Sequence, residues 1–406
     1  MSQGDKVVIF TFSFPCGEGE YFIESELPIL ASRFREVVVV PFCGGDGGTR
    51  TELPDNVKVL EPLLESDSKV RRLAKGVFNF SSVVPFALDV LRNGLFLRPR
   101  ALKRELGAAL LARYFLSHRT VRELVFAEKN ILYFYWSVGA AYFVPFIKPK
   151  GPVVVRFHGT DLYEERECNR GYIPFRKQLV ACGAKLVFVS RQGLEYFVSR
   201  YPAAKDRSRV FRLGVFDRGE STRSDDGTLR IVSCSNAVPL KRIDLIIEAL
   251  TQCRREVEWT HIGDGPELES LQAKASGLPA NVRAFFAGRL SNKAVMEFYR
   301  RNPVDLFVNV SESEGLPVSI MESLSFGVPV LATDVGGTSE LVSDDVGRLL
   351  PADLSAADLA GEIERFYAGH YSGTELREAA RQRWRERADA EKNYNEFCDF
   401  LESLDR

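Results

Sequence analysis

Histidine is scarce in this chain of 406 residues: there are four, and each stands alone. The seven cysteines, at positions 16, 43, 168, 182, 234, 253 and 398, are odd in number and never in CxxC spacing. No metal site is legible from such a set, and free thiols in a reducing cytosol are expected. There is no excess of charge of either sign, with 54 Lys+Arg against 55 Asp+Glu and a net charge of −1, so nothing in the bulk electrostatics argues for a nucleic-acid partner. Long apolar runs are also missing. The best candidate, Ile131 to Ile147, contains Ser137, Gly139 and Pro145 and falls short of a spanning length, so it reads as a buried strand plus helix. The opening MSQGDKVVIFTF has no basic stretch followed by an apolar core and a small-residue cleavage site, so no signal peptide is expected. GxGxxG is absent from the first glycine loop, which has glycines at 17 and 19 only, and dinucleotide binding is not supported.

What is present is a repeated order of short apolar runs and helical segments. Lys6–Phe12, Glu36–Phe42, Leu132–Trp136, Val153–Phe157, Leu186–Val189 and Val210–Leu213 read as buried strands. Phe216–Thr228 (FDRGESTRSDDGT) is polar and glycine-punctuated and reads as a linker. A second series follows, with strands near Leu229–Ser233, Val257–Ile262, Val282–Phe286, Leu306–Asn309 and Val330–Ala332. Strands alternating with helices imply parallel sheets covered on both faces, and ligands bind at the carboxyl ends of such strands. Two doubly wound domains with a cleft between them are expected.

The most informative stretch is Val310 to Val342, VSESEGLPVSIMESLSFGVPVLATDVGGTSELV. It reads as two strand-loop-helix units in tandem, with Gly315 in the first loop and Gly336-Gly337 in the second. Backbone N–H groups left unpaired at a helix N-terminus carry about half a positive charge and suit phosphate. Glu314 and Glu322 suit sugar hydroxyls instead. On one continuous helix they would lie ~12 Å apart along the axis, which fits two ends of an extended ligand. That spacing poorly supports a glycoside hydrolase, whose paired carboxyl groups lie ~5–9.5 Å apart across one bond. Lys241 and Arg242 stand at another helix start, where the dipole disfavours cations unless an anion is present. His158, in Arg156-Phe-His-Gly-Thr-Asp161, ends a strand of the first domain.

From Lys69 to Arg104, nine basic residues alternate with Phe78, Phe80, Phe86, Leu95, Phe96 and Leu97, and Asp89 is the only acid. A basic, aromatic, helical stretch can dock on an anionic membrane surface. The competing reading is a solvated helix face over a core.

In this order the motifs resemble the retaining glycosyltransferases of family 4, with the GT-B fold: two Rossmann-like β/α/β domains facing each other across a cleft. The resemblance rests on Glu314-x7-Glu322 in its context, VPLKRIDLIIEAL, IGDGPELESL, FAGRL, HGTDLY and GEGEYFIESEL. It looks most like the branch that builds bacterial capsule and exopolysaccharide. It implies an acceptor-binding domain over residues 1–215, a nucleotide-sugar-binding domain over 216–384, and a final helix, 385–406, crossing back to the first. The activity implied is metal-independent transfer of a hexose from a UDP or GDP sugar to a glycan or lipid-linked acceptor, with no cofactor, in the cytoplasm or on the inner face of its membrane.

Residue by residue, the resemblance implies that Glu314 binds the donor sugar with the N–H groups around Gly315 and Leu316. Glu322 would bind the ribose, Lys241 would stabilise the departing diphosphate, and His158 would contact the sugar near the reacting carbon. Gly288 and Arg289 belong to the FAGRL loop that would hold the base, and Gly17 and Gly19 would line the phosphate side. The family often has Gly-Arg where this chain has Ser235-Asn236. Asn236 cannot supply that charge, and Arg242 is the candidate replacement. An alternative is a degenerate protein of this fold that binds a nucleotide sugar or a partner enzyme.

Overall fold

The computed structural model describes residues 4–17, 20–44, 52–64, 90–91, 94–370 and 374–404. They form two compact units, Met1–Phe211 with Tyr394–Arg406, and Arg212–Asn393.

The first unit is built on a seven-stranded sheet. Its strands are β1 (Gly4–Thr11), β2 (Phe34–Pro41), β3 (Val57–Val59), β4 (Asn130–Phe134), β5 (Val153–Phe157), β6 (Lys185–Phe188) and β7 (Ser208–Val210), in the order β3-β2-β1-β4-β5-β6-β7. Every pairing is parallel. All five residues of β4 are buried, the pattern of a strand covered on both faces. Ile131–Ile147 resolves as β4 followed by a 3₁₀ segment, Gly139–Phe146.

The second unit has a six-stranded parallel sheet of β8 (Leu229–Cys234), β9 (Val257–Ile262), β10 (Val282–Gly288), β11 (Leu306–Asn309), β12 (Val330–Thr333) and β13 (Gly347–Leu350), in the order β10-β9-β8-β11-β12-β13. Both sheets are doubly wound Rossmann-like sheets, as the alternating pattern predicts. The chain reverses direction across each sheet once, beside β1 and β4 in the first unit and beside β8 and β11 in the second. Adjacent loops diverge at such a point and leave a crevice at the strands' carboxyl ends.

Two strands are not legible in the sequence. β3 has three residues, none fully buried, and β13 has two of its four residues buried. Both lie at sheet edges, where one face and one flank need no apolar run. The polar segment 216–228 is held against the second unit rather than hanging free. Arg381 pairs with Asp217 at 2.8 Å. Asp305 accepts from the Ser224 N–H at 2.9 Å and from its hydroxyl at 2.6 Å. No described helix is long and apolar enough to cross a membrane.

Candidate functional site

In the second unit the loops that leave β8 and β11 carry the residues singled out above. The β8 loop ends in a 3₁₀ turn, Pro239–Lys241, and the β11 loop contains Glu314. The Glu312 N–H donates to Leu240 O at 2.9 Å, which ties the two loops together. Lys241 Nζ then reaches Glu314 Oε1 at 2.6 Å, and Asn309 Nδ2 donates to the same oxygen at 3.3 Å. Glu314 is 8% exposed. Burial pushes its carboxyl up, but the Lys241 charge and the hydrogen bonds from Lys241, Ser311 and Asn309 outweigh burial and hold it below the usual range. It is a carboxylate at neutral pH.

Arg242 takes a different course from Lys241. It sits in the left-handed region at φ 48°, and this turn sends its guanidinium back to the protein backbone. Nε donates to Val310 O at 2.6 Å and Nη1 to Ala352 O at 2.8 Å. The position at a helix start is as the sequence predicts, since the helix Ile243–Leu250 begins at the next residue. Two of its three nitrogens are nevertheless engaged by carbonyl oxygens, while among the described residues Nη2 finds no hydrogen-bond partner. Asn236 itself is exposed.

Glu314 and Glu322 are not on one helix. The helix runs Val318–Ser325, with Pro317 as its N-cap residue at ψ 110°, so Glu314 lies in the loop before it. Among the described residues no acceptor is found for the N–H groups of Gly315 and Leu316. The Gly337 N–H donates to Gly315 O at 2.8 Å, and a Cβ at Gly336 would fall 1.9 Å from Glu314 O. Gly336 also holds φ +56°, so glycine is needed there both for conformation and for contact. Glu322 is 2% exposed, and burial pushes its carboxyl up to about 8. Its side-chain partner is Asn292, whose Nδ2 donates to Oε1 at 2.6 Å. Gly288 closes β10 at φ +65° with open space where a Cβ would stand, and Arg289 beside it is exposed.

The first unit presents its own crevice differently. The loop after β1 is filled by Glu20, which is 2% exposed. Its carboxylate accepts the N–H groups of Phe12 at 2.9 Å, Ser13 at 2.6 Å and Phe14 at 2.7 Å, and the Trp136 indole N–H at 2.5 Å. A side-chain carboxyl thus occupies this nest of amides. The Gly17 N–H turns inward to Ser13 O at 2.9 Å, and a Cβ there would meet the Ser13 hydroxyl at 2.1 Å. Gly17 serves the shape of this turn and offers no amide to a phosphate. Gly19 lies outside the described residues.

His158 follows β5 and is 7% exposed. Asp161 fixes the turn by accepting the His158 N–H and the Ser137 N–H, each at 2.7 Å. The imidazole lies against Trp136 with centroids 4.4 Å apart, and beside Tyr135 and Phe22. Both ring nitrogens are buried, and among the described residues neither has a hydrogen-bond partner. Burial, and then the Arg156 charge, hold its pKa well below the usual value, so the ring is neutral. Among the described residues no group of three or more His, Cys, Asp or Glu could hold a metal ion.

Lys241, Glu314, Gly315, Leu316, Glu322, Gly288 and Arg289 thus all belong to carboxyl-end loops or the adjoining helix of one unit. This arrangement agrees with what comparison of the sequence shows: residues 218–387 match the family model described as glycosyl transferases group 1. Most of the second unit is therefore similar to the group 1 glycosyltransferases. Similar curated proteins include TuaC of Bacillus subtilis (strain 168), named for teichuronic acid biosynthesis. It is 28% identical over 228 residues, 53% of this chain and 55% of TuaC. The lipopolysaccharide core biosynthesis mannosyltransferase LpsB of Rhizobium meliloti (strain 1021) is 34% identical over 155 residues, 34% of this chain and 42% of LpsB. The chain therefore spans about half the length of the curated relatives it matches. Among solved structures, Anabaena Alr3699/HepE in complex with UDP superposes with a TM-score of 0.67 at 18% identity, covering 98% of this chain and 100% of that one. WaaG, a glycosyltransferase involved in lipopolysaccharide biosynthesis, gives 0.60 at 15% identity over 98% and 99%. The fold is GT-B.

Three residues of these sites carry no signal that single-sequence reasoning can use. Asn292, Glu20 and Asp161 look like ordinary polar residues near glycine turns. Their roles come from partners 30, 116 and 24 positions away.

Proposed function

We propose that this protein is a retaining glycosyltransferase that moves a hexose from a UDP or GDP sugar to a hydroxyl of a glycan or lipid-linked acceptor in cell-surface polysaccharide synthesis. The observation that carries this reading is the Lys241–Glu314 pair at the second unit's switch point, beside the unpartnered N–H groups of Gly315 and Leu316. A cation and free amides suit a diphosphate, and a fixed carboxylate suits sugar hydroxyls. The names of TuaC and LpsB, and the UDP bound in HepE, support the same class of donor and product.

In the reaction the acceptor oxygen bonds to the anomeric carbon as the bond from that carbon to the phosphate oxygen breaks. The bonding electrons leave with the nucleoside diphosphate. Retention is met by attack on the face the phosphate leaves, with a phosphate oxygen taking the acceptor's proton. Lys241 and the amides at the Val318 helix start stabilise the charge on the leaving group in place of a metal ion. Glu314 orients the sugar, Glu322 accepts from the ribose, and neutral His158 contacts the sugar without adding charge.

The test is a thermal-shift screen of UDP, GDP and their sugars, followed by turnover of the sugar that stabilises the fold most. At 100 Kd a ligand adds about 2.7 kcal/mol. Turnover that survives EDTA supports the metal-free reading; loss restored only by a divalent ion sinks it. Tight binding with no turnover against any acceptor supports the alternative, a subunit that binds nucleotide sugar. Arg242's engagement with backbone through two of its three nitrogens is the observation favouring that second reading.

The proposed place of action is the cytoplasmic face of a membrane, through residues 69–104. Most of that stretch (residues 69–89, 92 and 93) lies outside the described residues. The described part shows Leu91, Phe96 and Leu97 exposed at 66%, 59% and 76% beside exposed Arg98, Arg100 and Lys103. Vesicles with about a third anionic phospholipid should carry the protein in flotation, at roughly 1 kcal/mol per basic residue near the surface. Arg98→Glu with Arg100→Glu should release it; equal flotation of the variant and wild type would count against this surface.

A further inference from the structure

Glu322 is an unusual group to bind a ribose in the state the structure shows. It projects from the helix Val318–Ser325 into an almost fully buried position. Among the described residues only the Asn292 amide compensates it, through Nδ2 to Oε1 at 2.6 Å. Asn292 is the first residue of the helix Asn292–Arg301, which follows the short loop after β10. Ser291 already caps that helix, its Oγ accepting from the Ala294 N–H at 3.3 Å. The Asn292 side chain is therefore not needed for capping and is free to face across to the neighbouring helix.

We propose that Asn292 is the positioning residue for Glu322, pinning one carboxyl oxygen so that the other is presented to the ribose hydroxyls of the nucleotide. This rests on the reading of Glu322 as the ribose acceptor. An amide suits the task better than any charged side chain. Its N–H₂ donates to the carboxylate, and its carbonyl oxygen accepts from the carboxylic acid, so it serves both protonation states. A lysine or arginine would compete with the hydroxyls for the carboxylate. An aspartate would repel it.

The geometry carries a pH consequence. Hydroxyls donate to a carboxylate and not to a protonated acid's O–H, and burial leaves Glu322 titrating at about 8. The groups facing it are Cys234 at the end of β8 and Tyr299 on the Asn292 helix, and burial pushes both upward, out of the range from pH 6 to 9. Lys241 reaches this set through Cys234. The sign is then fixed. The ligand-free protein binds a proton here that the unfolded chain releases near 4.5, so this group's contribution to stability falls as pH rises through about 8. Nucleotide affinity changes in the opposite sense and rises with pH toward 8.

The experiment titrates UDP and GDP, and the 2′-deoxy form of whichever binds, against wild type, Asn292→Ala, Asn292→Asp, Asn292→Ser and Glu322→Ala from pH 6 to 9. Asn292→Ala should weaken the ribonucleotide about tenfold and raise donor KM by as much, with kcat changed less than twofold. Its preference for the ribo over the deoxy form should shrink toward one. Asn292→Ser, which keeps a donor, should recover part of the affinity, and Asn292→Asp should move the affinity profile to higher pH. Equal losses for the ribo and deoxy forms mean that Asn292 is merely structural and overturn the proposal. Unchanged affinity in Asn292→Ala, with Glu322→Ala impaired, overturns it too while leaving the ribose reading intact. Full affinity in Glu322→Ala sinks the ribose reading itself. If Asn292→Ala does not fold, the Ser and Asp variants decide by the same ribo-to-deoxy ratio.

Discussion

Lys241→Ala should lower kcat/KM for sugar transfer by about 10²–10³-fold, the loss typical of removing one donor aimed at developing charge. The lysine stands at the second unit's switch point with its ammonium 2.6 Å from the buried Glu314 carboxylate. In the ligand-free state its charge is matched by Glu314. In the proposed reaction the same ammonium meets the diphosphate, whose charge grows as the glycosidic bond breaks. Glu314→Ala should cost a comparable factor by freeing the sugar and leaving Lys241 without its fixed partner. The two losses should not add, because the residues act as one unit.

A pH signature separates this from simple damage. In the wild type the pair's stabilisation is present above the usual carboxylate range and is lost as pH falls through Glu314's depressed value. In Lys241→Ala the cation is gone and burial dominates, so Glu314 takes up its proton at higher pH and the acid limb of activity moves upward. Steady-state kinetics of both single variants and the double variant check this. Full activity in either single variant would remove Lys241 and Glu314 from the mechanism.

The second large effect concerns stability, and it lies in the first unit. Glu26 and Arg156 form an ion pair with both side chains fully buried, one on the helix Ile23–Arg33 and one in β5. Tyr133 donates its hydroxyl to Glu26 at 2.9 Å, and the guanidinium lies 4.5 Å from the Phe397 ring and 5.3 Å from those of Tyr133 and Tyr135. Burial pushes the Glu26 carboxyl up and the adjacent guanidinium pulls it back. Removing one partner strands the other in an apolar core. Arg156→Ala or Glu26→Ala should each cost about 3–5 kcal/mol, or roughly 10 °C in Tm for a unit of this size. The paired change Glu26→Leu with Arg156→Met should be near neutral, since both desolvation penalties vanish together. Urea denaturation of the three variants measures it; a double variant as unstable as the singles would contradict the account. Phe397 belongs to the helix Ala390–Leu404, so the cluster also fastens the end of the chain to this unit, with Arg33 to Asp399 at 2.6 Å as a second tie.

Much of the fold is legible in the sequence because a doubly wound sheet buries its strands on both faces. Val153–Phe157 and Leu306–Asn309 are read at their observed bounds for that reason. β3 and β13 escape because a short edge strand has no such pattern to show. At the site, the glycine turns identify the carboxyl-end loops, since a Cβ at Gly336 would fall 1.9 Å from Glu314 O. Lys241, Glu314, Glu322 and His158 could be named from their loops alone. Arg242 shows the limit of that method. Its place at a helix start is correct, but one positive φ turns its charge onto Val310 O and Ala352 O.

The sequence by itself determined two parallel doubly wound sheets and the loops in which chemistry is concentrated, because strand periodicity, glycine and helix starts are local properties of the chain. Only the tertiary structure decided which charges meet. Lys241 meets Glu314 across 73 positions, Arg156 meets Glu26 across 130, and Glu20 fills the first unit's amide nest. Desolvation and Coulomb energy depend on distance in space and on burial, and neither is written in the spacing of residues along the chain.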